Sequence, residues 1–202
     1  MPEFYDLCLR EDSTEVCGTA EELGWTAPCD IDTVFLEAGD WGELKQKIKQ
    51  ERGKADVLVF RGGDEELNRK AASDPRVDVL LHPERGRKDS GMNHVVAKEA
   101  AENNVAIGFD FSRLLADDKT KTHVLAHWRR NLKLCEKYGV EYIITTGARE
   151  KYGLRAPRDL AAVIDSLGYN GMEAVKHNPS RILNRVKERK GDDFVMPGVK
   201  KR

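Results

Sequence analysis

Short apolar stretches alternate with longer amphipathic segments along most of this chain. Near-continuous apolar runs predict buried strands, since a parallel strand that is covered on both faces has no polar side. The predicted strands cover residues 4–9, 33–36, 55–60, 77–81, 105–109 and 141–146. Six strands that alternate with helices predict an α/β fold with a mainly parallel sheet and right-handed crossovers.

The segments between these strands carry apolar residues at helical spacing, and several have capping residues. Asp64 is an expected N-cap, and Gly139 is the expected end of a long helix. In the last predicted helix, Asn178 is the expected N-cap and Pro179 the first-turn residue. The predicted helices cover residues 14–23, 42–52, 64–72, 93–103, 121–138, 157–168, 170–175 and 178–189.

Two parallel architectures fit this alternation, an open doubly wound sheet and a (β/α) barrel. The first strand is not followed by the G-x-G-x-x-G pattern of dinucleotide-binding open sheets. The final fifty residues predict helices and no seventh or eighth strand of similar quality. We therefore expect a distorted or incomplete parallel barrel with extra C-terminal helices, formed by residues 1–190 as a single domain. Residues 191–202 are expected to be a basic, flexible tail.

Composition places the chain among folded globular proteins. Of its 202 residues 40% are hydrophobic, and the net charge is −1, which argues against disorder throughout. No run of eighteen apolar residues and no basic-then-apolar leader is present, so we expect neither a membrane span nor a secretory signal. The four cysteines, Cys8, Cys17, Cys29 and Cys135, form no C-x-x-C pair. They predict reduced, mostly buried thiols in a cytoplasmic protein.

Arginines follow four of the predicted strands, at the ends where parallel folds gather their functional groups. Basic side chains and free loop amides on one rim favour the binding of anions such as phosphates. The sharpest local feature is the loop from His82 to His94, where Gly86 and Ser90-Gly91 accompany a group of basic residues. The rim and loop cations are Arg61, Arg85, Arg87, Lys88, Arg113 and Arg149. Alternatively, these side chains face solvent or pair with Glu84, Asp89 and Glu150.

The sequence gives weaker support for a hydrolytic site than for an anion-binding rim. A metal site needs several ligands that converge at strand ends, but the first strand carries no histidine. His82, His94, Asp110 and His177 are scattered singly along the chain, and no G-x-S-x-G motif is present. We assign no catalytic residue and no metal ligand. The three tryptophans, Trp25, Trp41 and Trp128, are isolated and are expected in the core or an interface rather than in a base-stacking platform.

Five motifs stand out: R-G-G-D at 61–64, V-L-L-H-P at 79–83, R-K-D-S-G-M-N-H-V-V-A-K at 87–98, N-V-A-I-G-F at 104–109 and E-K-Y-G-L-R-A-P-R-D-L at 150–160. Together they resemble the archaeal ribonuclease P protein component 3 family. The resemblance covers nearly the whole chain, from Tyr5 to the helix near Arg189. It implies an α/β, TIM-barrel-like subunit of a ribonucleoprotein that removes the 5′ leader of precursor tRNA.

The resemblance also implies partners and a division of labour. The ribonuclease P RNA would hold the catalytic Mg²⁺ ions, so that this chain carries no cofactor and is not itself catalytic. Component 2 and other ribonuclease P proteins would be its companions in the complex, and precursor tRNA the holoenzyme's substrate. Positive side chains would lower the cost of packing RNA phosphates closely.

The residues expected to contact RNA come from two sources. Family positions carry over onto Arg69, Arg87, His94 and Arg155, although a one-residue shift would put Lys70 in place of Arg69. Where some relatives have a lysine after Glu102, this chain has Asn103. Local charge and strand-end position add Arg61, Arg85, Lys88, Arg149 and Lys151. Two alternatives remain, a free-standing metal-dependent phosphoesterase of the polymerase-and-histidinol-phosphatase barrel type and a protein–protein adaptor.

Overall fold

Five parallel strands form the main sheet of the computed structural model, which describes residues 3–115, 118–190, 194–196 and 199–200. Each strand pairs with the next one in sequence, with Val59 beside Val79 and Gly108 beside Ile143. The strands are β1 (Thr33–Leu36), β2 (Val57–Arg61), β3 (Val79–Leu81), β4 (Ala106–Asp110) and β5 (Tyr142–Thr145). All five were predicted from the apolar runs.

Two short strands, β6 (Phe194–Met196) and β7 (Val199–Lys200), pair antiparallel with each other near the C-terminus. The expected boundary between a domain at 1–190 and a flexible tail at 191–202 stays a prediction. The tail residues 191–193, 197–198 and 201–202 lie outside the described residues.

Helices connect the strands and pack against the sheet. They are α1 (Thr14–Glu22), α2 (Trp41–Glu51), α3 (Glu65–Ala72), α4 (His94–Asn103), α5 (Ser112–Leu115), α6 (Asp118–Tyr138), α7 (Pro157–Ser166) and α8 (Asn178–Lys190). A 3₁₀ turn spans Lys151–Gly153, and a π-helical turn spans Glu173–His177. The predicted cap at Asp64 is confirmed, since its carboxylate accepts from Leu67 N at 2.9 Å. Asn93 caps α4 in the same way, with its amide oxygen accepting from Val95 N at 2.9 Å.

The predicted N-cap at Asn178 is wrong. This residue is helical (φ −68°, ψ −44°), because the π-helical turn runs directly into α8. The Asn178 side chain instead donates to the carbonyl of Tyr142 at 2.8 Å and ties α8 to β5. The helical segment is capped earlier, by Asn170, whose side-chain oxygen accepts from Met172 N at 3.0 Å.

The strand predicted at 4–9 does not join the sheet. Its backbone groups bond elsewhere, with Tyr5 N donating to Val175 O (3.3 Å) and Phe4 O accepting from Thr26 N (2.8 Å). Side chains span the space between β1 and β5 in place of a ladder: Thr33 Oγ1 donates to Leu7 O (3.0 Å), and Asp6 accepts from Thr146 N (3.0 Å). The sheet is therefore not closed, which agrees with the expected incomplete barrel.

The interior of this open barrel is apolar and closed at one end by α8. Ile182 and Val186 of α8 pack with inward-facing strand residues such as Val57, Val79 and Ile143. Arg189 pairs with Asp78 (2.8 Å), just before β3, so α8 covers the amino ends of the strands. The carboxyl ends of the strands lie at the opposite end of the barrel.

The prediction of four reduced cysteines is wrong for two of them. Cys17 of α1 and Cys29, in the segment that returns toward β1, form a disulfide. Their Cα atoms are 5.9 Å apart, a separation that a disulfide requires and that sequence spacing does not reveal. Cys8 and Cys135 are free and buried, as expected.

Within the described ranges, none of the helices combines the length and the apolar character needed to cross a membrane.

We expect Ile182→Ala to lower the free energy of unfolding by about 3 kcal/mol, because it leaves a cavity in the barrel interior. Ile182 is fully buried, whereas Lys187 on the same helix is exposed. Urea unfolding of both alanine variants measures the difference, with Lys187→Ala expected within about 0.5 kcal/mol of the wild type. Equal losses in the two variants would contradict the packing of α8 against the barrel interior at this end.

Candidate functional site

Polar side chains converge at the carboxyl ends of the strands, in a region that we call the mouth. It is formed by Arg61 at the end of β2, His82 after β3, Asp110 at the end of β4 and Arg149 after β5, joined by Arg10 from the N-terminal segment. Arg61 and Arg149 were predicted for this rim from their strand-end positions. Arg10 was missed.

An ion pair between Arg10 and Asp110 joins the N-terminal segment to β4. The Arg10 and Asp110 side chains are 12% and 1% exposed. Asp110 Oδ1 also accepts from the amide and hydroxyl of Ser112, at 3.0 and 2.6 Å. Gly147 (φ +58°) makes room for this carboxylate, since a Cβ there would lie 2.0 Å from Asp110 Oδ1.

A second buried carboxylate, Asp6, fixes the same segment to the end of β5. It accepts hydrogen bonds from the hydroxyls of Thr145 and Thr146 and from the amide of Cys8 at 3.1 Å. Burial raises the pKa of Asp6, and these hydrogen bonds oppose the rise. Asp6 therefore has a structural role, since its hydrogen bonds are all made within the chain.

Four guanidinium groups cluster at the mouth. Burial lowers the pKa of Arg61, and the charges of Arg10, Arg85 and Arg149 lower it further. Glu37 opposes them through contacts with Arg61 Nη1 (2.6 Å) and Arg85 Nη1 (3.1 Å). Arg149 is exposed and has no ion-pair partner within the part of the chain that the structure describes. This arrangement favours an anionic ligand.

A cavity of about 310 Å³ opens among these arginines. It is lined by Arg10, Glu11, Phe35, Arg61 and Arg149. Phe35 lies below the Arg10 guanidinium, 5.9 Å from ring centroid to Cζ. The Nε atoms of Arg10 and Arg61 are buried and donate to no acceptor among the described residues. Because three guanidinium groups and one carboxylate line it, the cavity suits a phosphate-sized anion.

His82 is neutral in this setting. Burial lowers its pKa to about 3, and the neighbouring charges of Arg85, Arg61 and Arg10 contribute to the decrease. Its backbone has a left-handed conformation (φ 39°), and its Nε2 lies 4.0 Å from Asp110 Oδ2. At physiological pH His82 therefore adds no charge to the mouth.

In the loop at 82–94, one predicted cation pairs with an acidic neighbour and another is exposed. Arg87 forms two bonds to Asp89, at 2.7 and 2.8 Å, and a third to Glu65 at 3.3 Å. Asp89 therefore neutralises Arg87, which is one of the acid–base pairings given as the alternative to anion binding. Lys88 is exposed beside a cavity of about 400 Å³ that Arg113, His123 and His127 also line.

Glu84 does not neutralise the loop cations by a direct contact. It is 2% exposed and accepts from the indole of Trp128 at 3.1 Å, while its Oε2 has no partner among the described residues. Burial raises the pKa of Glu84 to about 7, and the indole bond and the charge of Arg113 oppose the rise. The carboxyl group is thus largely protonated below neutral pH.

Arg69 and His94 lie on helices α3 and α4 rather than in the loops that follow the strands. Arg69 is exposed on α3, while Lys70 lies over the Trp41 ring at 5.7 Å. His94 is exposed at the first position of α4, next to its cap Asn93. Their roles in RNA contact stay predictions.

Two of the three predicted cations after β5 take part in local contacts. Lys151 pairs with Glu15 of α1 and lies 5.2 Å from the ring centroid of Tyr152. Arg155 donates to the carbonyl of Tyr152 at 2.9 Å and stacks over Phe111 at 5.7 Å. Both residues therefore shape this turn, whatever else they bind.

One available signal would have identified Arg10. It directly follows the first predicted strand, so the rule that selected arginines after four other strands applies to it as well. Asp110 was considered as a metal ligand, but the structure pairs it with Arg10. Among the described residues, no three or more His, Cys, Asp or Glu side chains are placed to hold a metal ion.

Comparison with known proteins shows the family of the chain. A family model described as RNase P subunit p30 matches residues 31–191. A chain in the cryo-EM structure of archaeal ribonuclease P with mature tRNA superposes with a TM-score of 0.78 at 31% sequence identity, covering 97% of this chain and 86% of that chain. The chain therefore belongs to the ribonuclease P subunit p30 family.

Individual relatives carry a more specific name. Ribonuclease P protein component 3 of Methanococcoides burtonii is 40% identical over 169 residues, which cover 83% of this chain and 70% of that protein. The protein of the same name from Methanococcus maripaludis is 30% identical over 195 residues, or 94% of this chain and 83% of its own length. The resemblance to component 3 is confirmed, as is the role of a ribonuclease P subunit rather than a free-standing phosphoesterase.

We expect Gly147→Ala to destabilise the protein by about 3 kcal/mol more than Gly139→Ala, because only the former displaces Asp110 from Arg10. Both glycines have positive φ, +58° and +71°, but a Cβ at Gly139 meets nothing within 4 Å. Gly139→Ala thus isolates the cost of the left-handed conformation, about 1–2 kcal/mol. Urea unfolding compares the two variants, and equal costs would contradict the importance of the Arg10–Asp110 pair.

The raised pKa of Glu84 predicts a pH-dependent stability. The folded protein binds this proton more tightly than the unfolded chain, so the stabilisation by Glu84 is complete below its ordinary pKa of 4.5 and is lost as pH rises through about 7. The unfolding free energy of the wild type minus that of Glu84→Gln should fall by about 3 kcal/mol between about pH 4 and about pH 8.

Subtracting the variant removes the opposite contribution of His82, which increases with pH between about 3 and its ordinary 6.5. Denaturant titrations across this pH range give both curves. A difference that is flat in pH would show that the Glu84 carboxyl is not perturbed by burial.

Proposed function

We propose that this subunit binds the ribonuclease P RNA through the mouth and the adjoining loops, and that bond cleavage is performed by the RNA. The observation that carries the proposal is the convergence of Arg10, Arg61, Arg85 and Arg149 at the carboxyl ends of the strands. Guanidinium groups bind phosphate oxygens through paired N–H donors and keep their charge at every physiological pH.

The mouth is suited to support rather than to hydrolysis. Asp110, the carboxylate nearest His82, is engaged by Arg10 and Ser112, and His82 is neutral and buried. Positive side chains at this surface reduce the repulsion between RNA segments that fold close together. Catalytic Mg²⁺ would then be held by the RNA, and less free Mg²⁺ would be needed for activity.

The remaining sequence-based contacts belong to the same proposal. Arg69, Arg87, Lys88, His94, Lys151 and Arg155 would extend the RNA surface from the mouth along the loops and helix starts. Component 2 and other ribonuclease P proteins would complete the assembly, precursor tRNA would be its substrate, and the assembly would act in the cytoplasm.

Reconstitution tests the subunit's role. Ribonuclease P RNA and the companion proteins are assembled with and without this chain, and precursor tRNA cleavage is followed over a range of Mg²⁺ concentrations. We expect omission of the chain to raise the Mg²⁺ concentration needed for half-maximal activity. An unchanged Mg²⁺ requirement would favour a protein–protein adaptor, and cleavage by the chain alone would favour a phosphoesterase.

Arg149→Ala tests the mouth itself. We expect roughly ten-fold weaker binding to the ribonuclease P RNA, and a plot of log affinity against log salt concentration that is shallower by about 0.7 to 0.9, as for one lost phosphate contact. Arg149 is more informative than Arg87 or Arg155, whose side chains also make intramolecular bonds.

Two variants control this measurement. Arg149→Lys keeps the charge and should keep the salt slope, whereas Lys187→Ala removes a charge from α8, at the opposite end of the barrel, and should change neither slope nor affinity. Equal effects of Arg149→Ala and Lys187→Ala would mean that net charge, and not the mouth, determines binding.

A further inference from the structure

Tyr152 presents an aromatic ring to solvent beside the proposed RNA surface. Its relative exposure is 74%, the highest among the large apolar side chains of the described residues. Trp25 and Trp128, by contrast, are buried at 3% and 0%, as the sequence predicted. An exposed ring of this size is accessible to an external partner, and its hydroxyl keeps it compatible with a wet surface.

The backbone under the ring is held in place. Arg155 Nη1 donates to the carbonyls of Tyr152 (2.9 Å) and Leu154 (2.5 Å), and Trp25 Nε1 donates to the Arg155 carbonyl at 2.9 Å. The amide of Gly153 closes the 3₁₀ turn through a bond to Glu150 O at 3.0 Å. A fixed turn presents its side chain with little backbone entropy left to lose on binding.

Charged groups surround the ring. Lys151 Nζ lies 5.2 Å from the ring centroid and also forms an ion pair with the Glu15 carboxylate. Arg155 donates to a carbonyl of the same turn, and Arg149, which has no ion-pair partner among the described residues, precedes Tyr152 by three positions in the chain. Sites for unpaired RNA combine such a basic surface with an aromatic side chain on which a base can stack.

We propose that Tyr152 is a stacking platform for one unpaired base of the RNA, with the exposed Arg149 as the cation for an adjacent phosphate. This inference rests on the proposed function, since it names the kind of RNA element that the surface receives. A protein partner is less favoured, because the interface core around an anchoring tyrosine is depleted of charged residues, whereas charged side chains flank Tyr152.

Two substitutions separate stacking from other contributions. Tyr152→Leu removes the π-face but keeps an apolar side chain, whereas Tyr152→Phe keeps the π-face and removes the hydroxyl. With an in vitro transcript of the ribonuclease P RNA as the probe, we expect Tyr152→Leu to weaken binding roughly 5- to 100-fold and Tyr152→Phe to stay within about two-fold of the wild type.

The salt dependence supplies an independent readout. Because stacking releases no counterions, the slope of log affinity against log salt should be unchanged in Tyr152→Leu, unlike in Arg149→Ala. Chemical probing of the bound RNA should show that one unpaired nucleotide is protected by the wild type and by Tyr152→Phe, and becomes reactive with Tyr152→Leu. The exposed position means that each variant should unfold at the wild-type denaturant concentration.

An RNA affinity unchanged by Tyr152→Leu would overturn this inference, including the case in which the substitution weakens binding of component 2 instead. If Arg149→Ala still reduces RNA binding in that experiment, the proposed RNA surface stands and only the stacking role fails. If neither variant has an effect, the proposed function fails together with it.

Discussion

The ion pair between Arg10 and Asp110 is the contact on which the organisation of the mouth depends. The strand sheet is open between β1 and β5, and residues 4–9 cross this opening without forming a ladder. Their position is instead set by side chains: Arg10 on Asp110, and Asp6 on Thr145 and Thr146. A buried ion pair of this kind tolerates little displacement, because either charge alone would be left desolvated. The same contact brings a guanidinium group to the carboxyl ends of the strands.

From that constraint the electrostatics of the mouth follow. Asp110 is satisfied by Arg10 and Ser112, so it offers little attraction to a metal ion. Glu37 balances Arg61 and Arg85 in part, while Arg149 remains unpaired among the described residues. A barrel whose strand ends could in other proteins carry hydrolytic ligands here carries arginine side chains. This agrees with membership of a ribonuclease P subunit family, in which the protein acts together with RNA.

Much of the architecture could be predicted because its signals are local. The five paired strands are apolar on both faces, and Asp64 and Asn93 cap helices through bonds to residues two or three positions away. The predictions failed where contacts between residues far apart in the sequence outweigh the local sequence pattern. The segment at 4–9 has the composition of a strand, yet its amides find partners in Val175 and in side chains. Asn178 has the sequence of a cap, yet a preceding buried turn continues the helix through it.

By itself, the amino-acid sequence determined the family, the alternation of strands and helices and the placement of arginines after the strands, since these are properties of short segments. Tertiary structure alone decided which charges meet. Arg87 is neutralised by Asp89, Arg149 has no ion-pair partner in the described part of the chain, Glu84 is buried against Trp128, and Cys17 reaches Cys29. The physical reason is that ion pairs, burial and disulfides depend on distances between residues far apart in the chain, and only the folded backbone sets those distances.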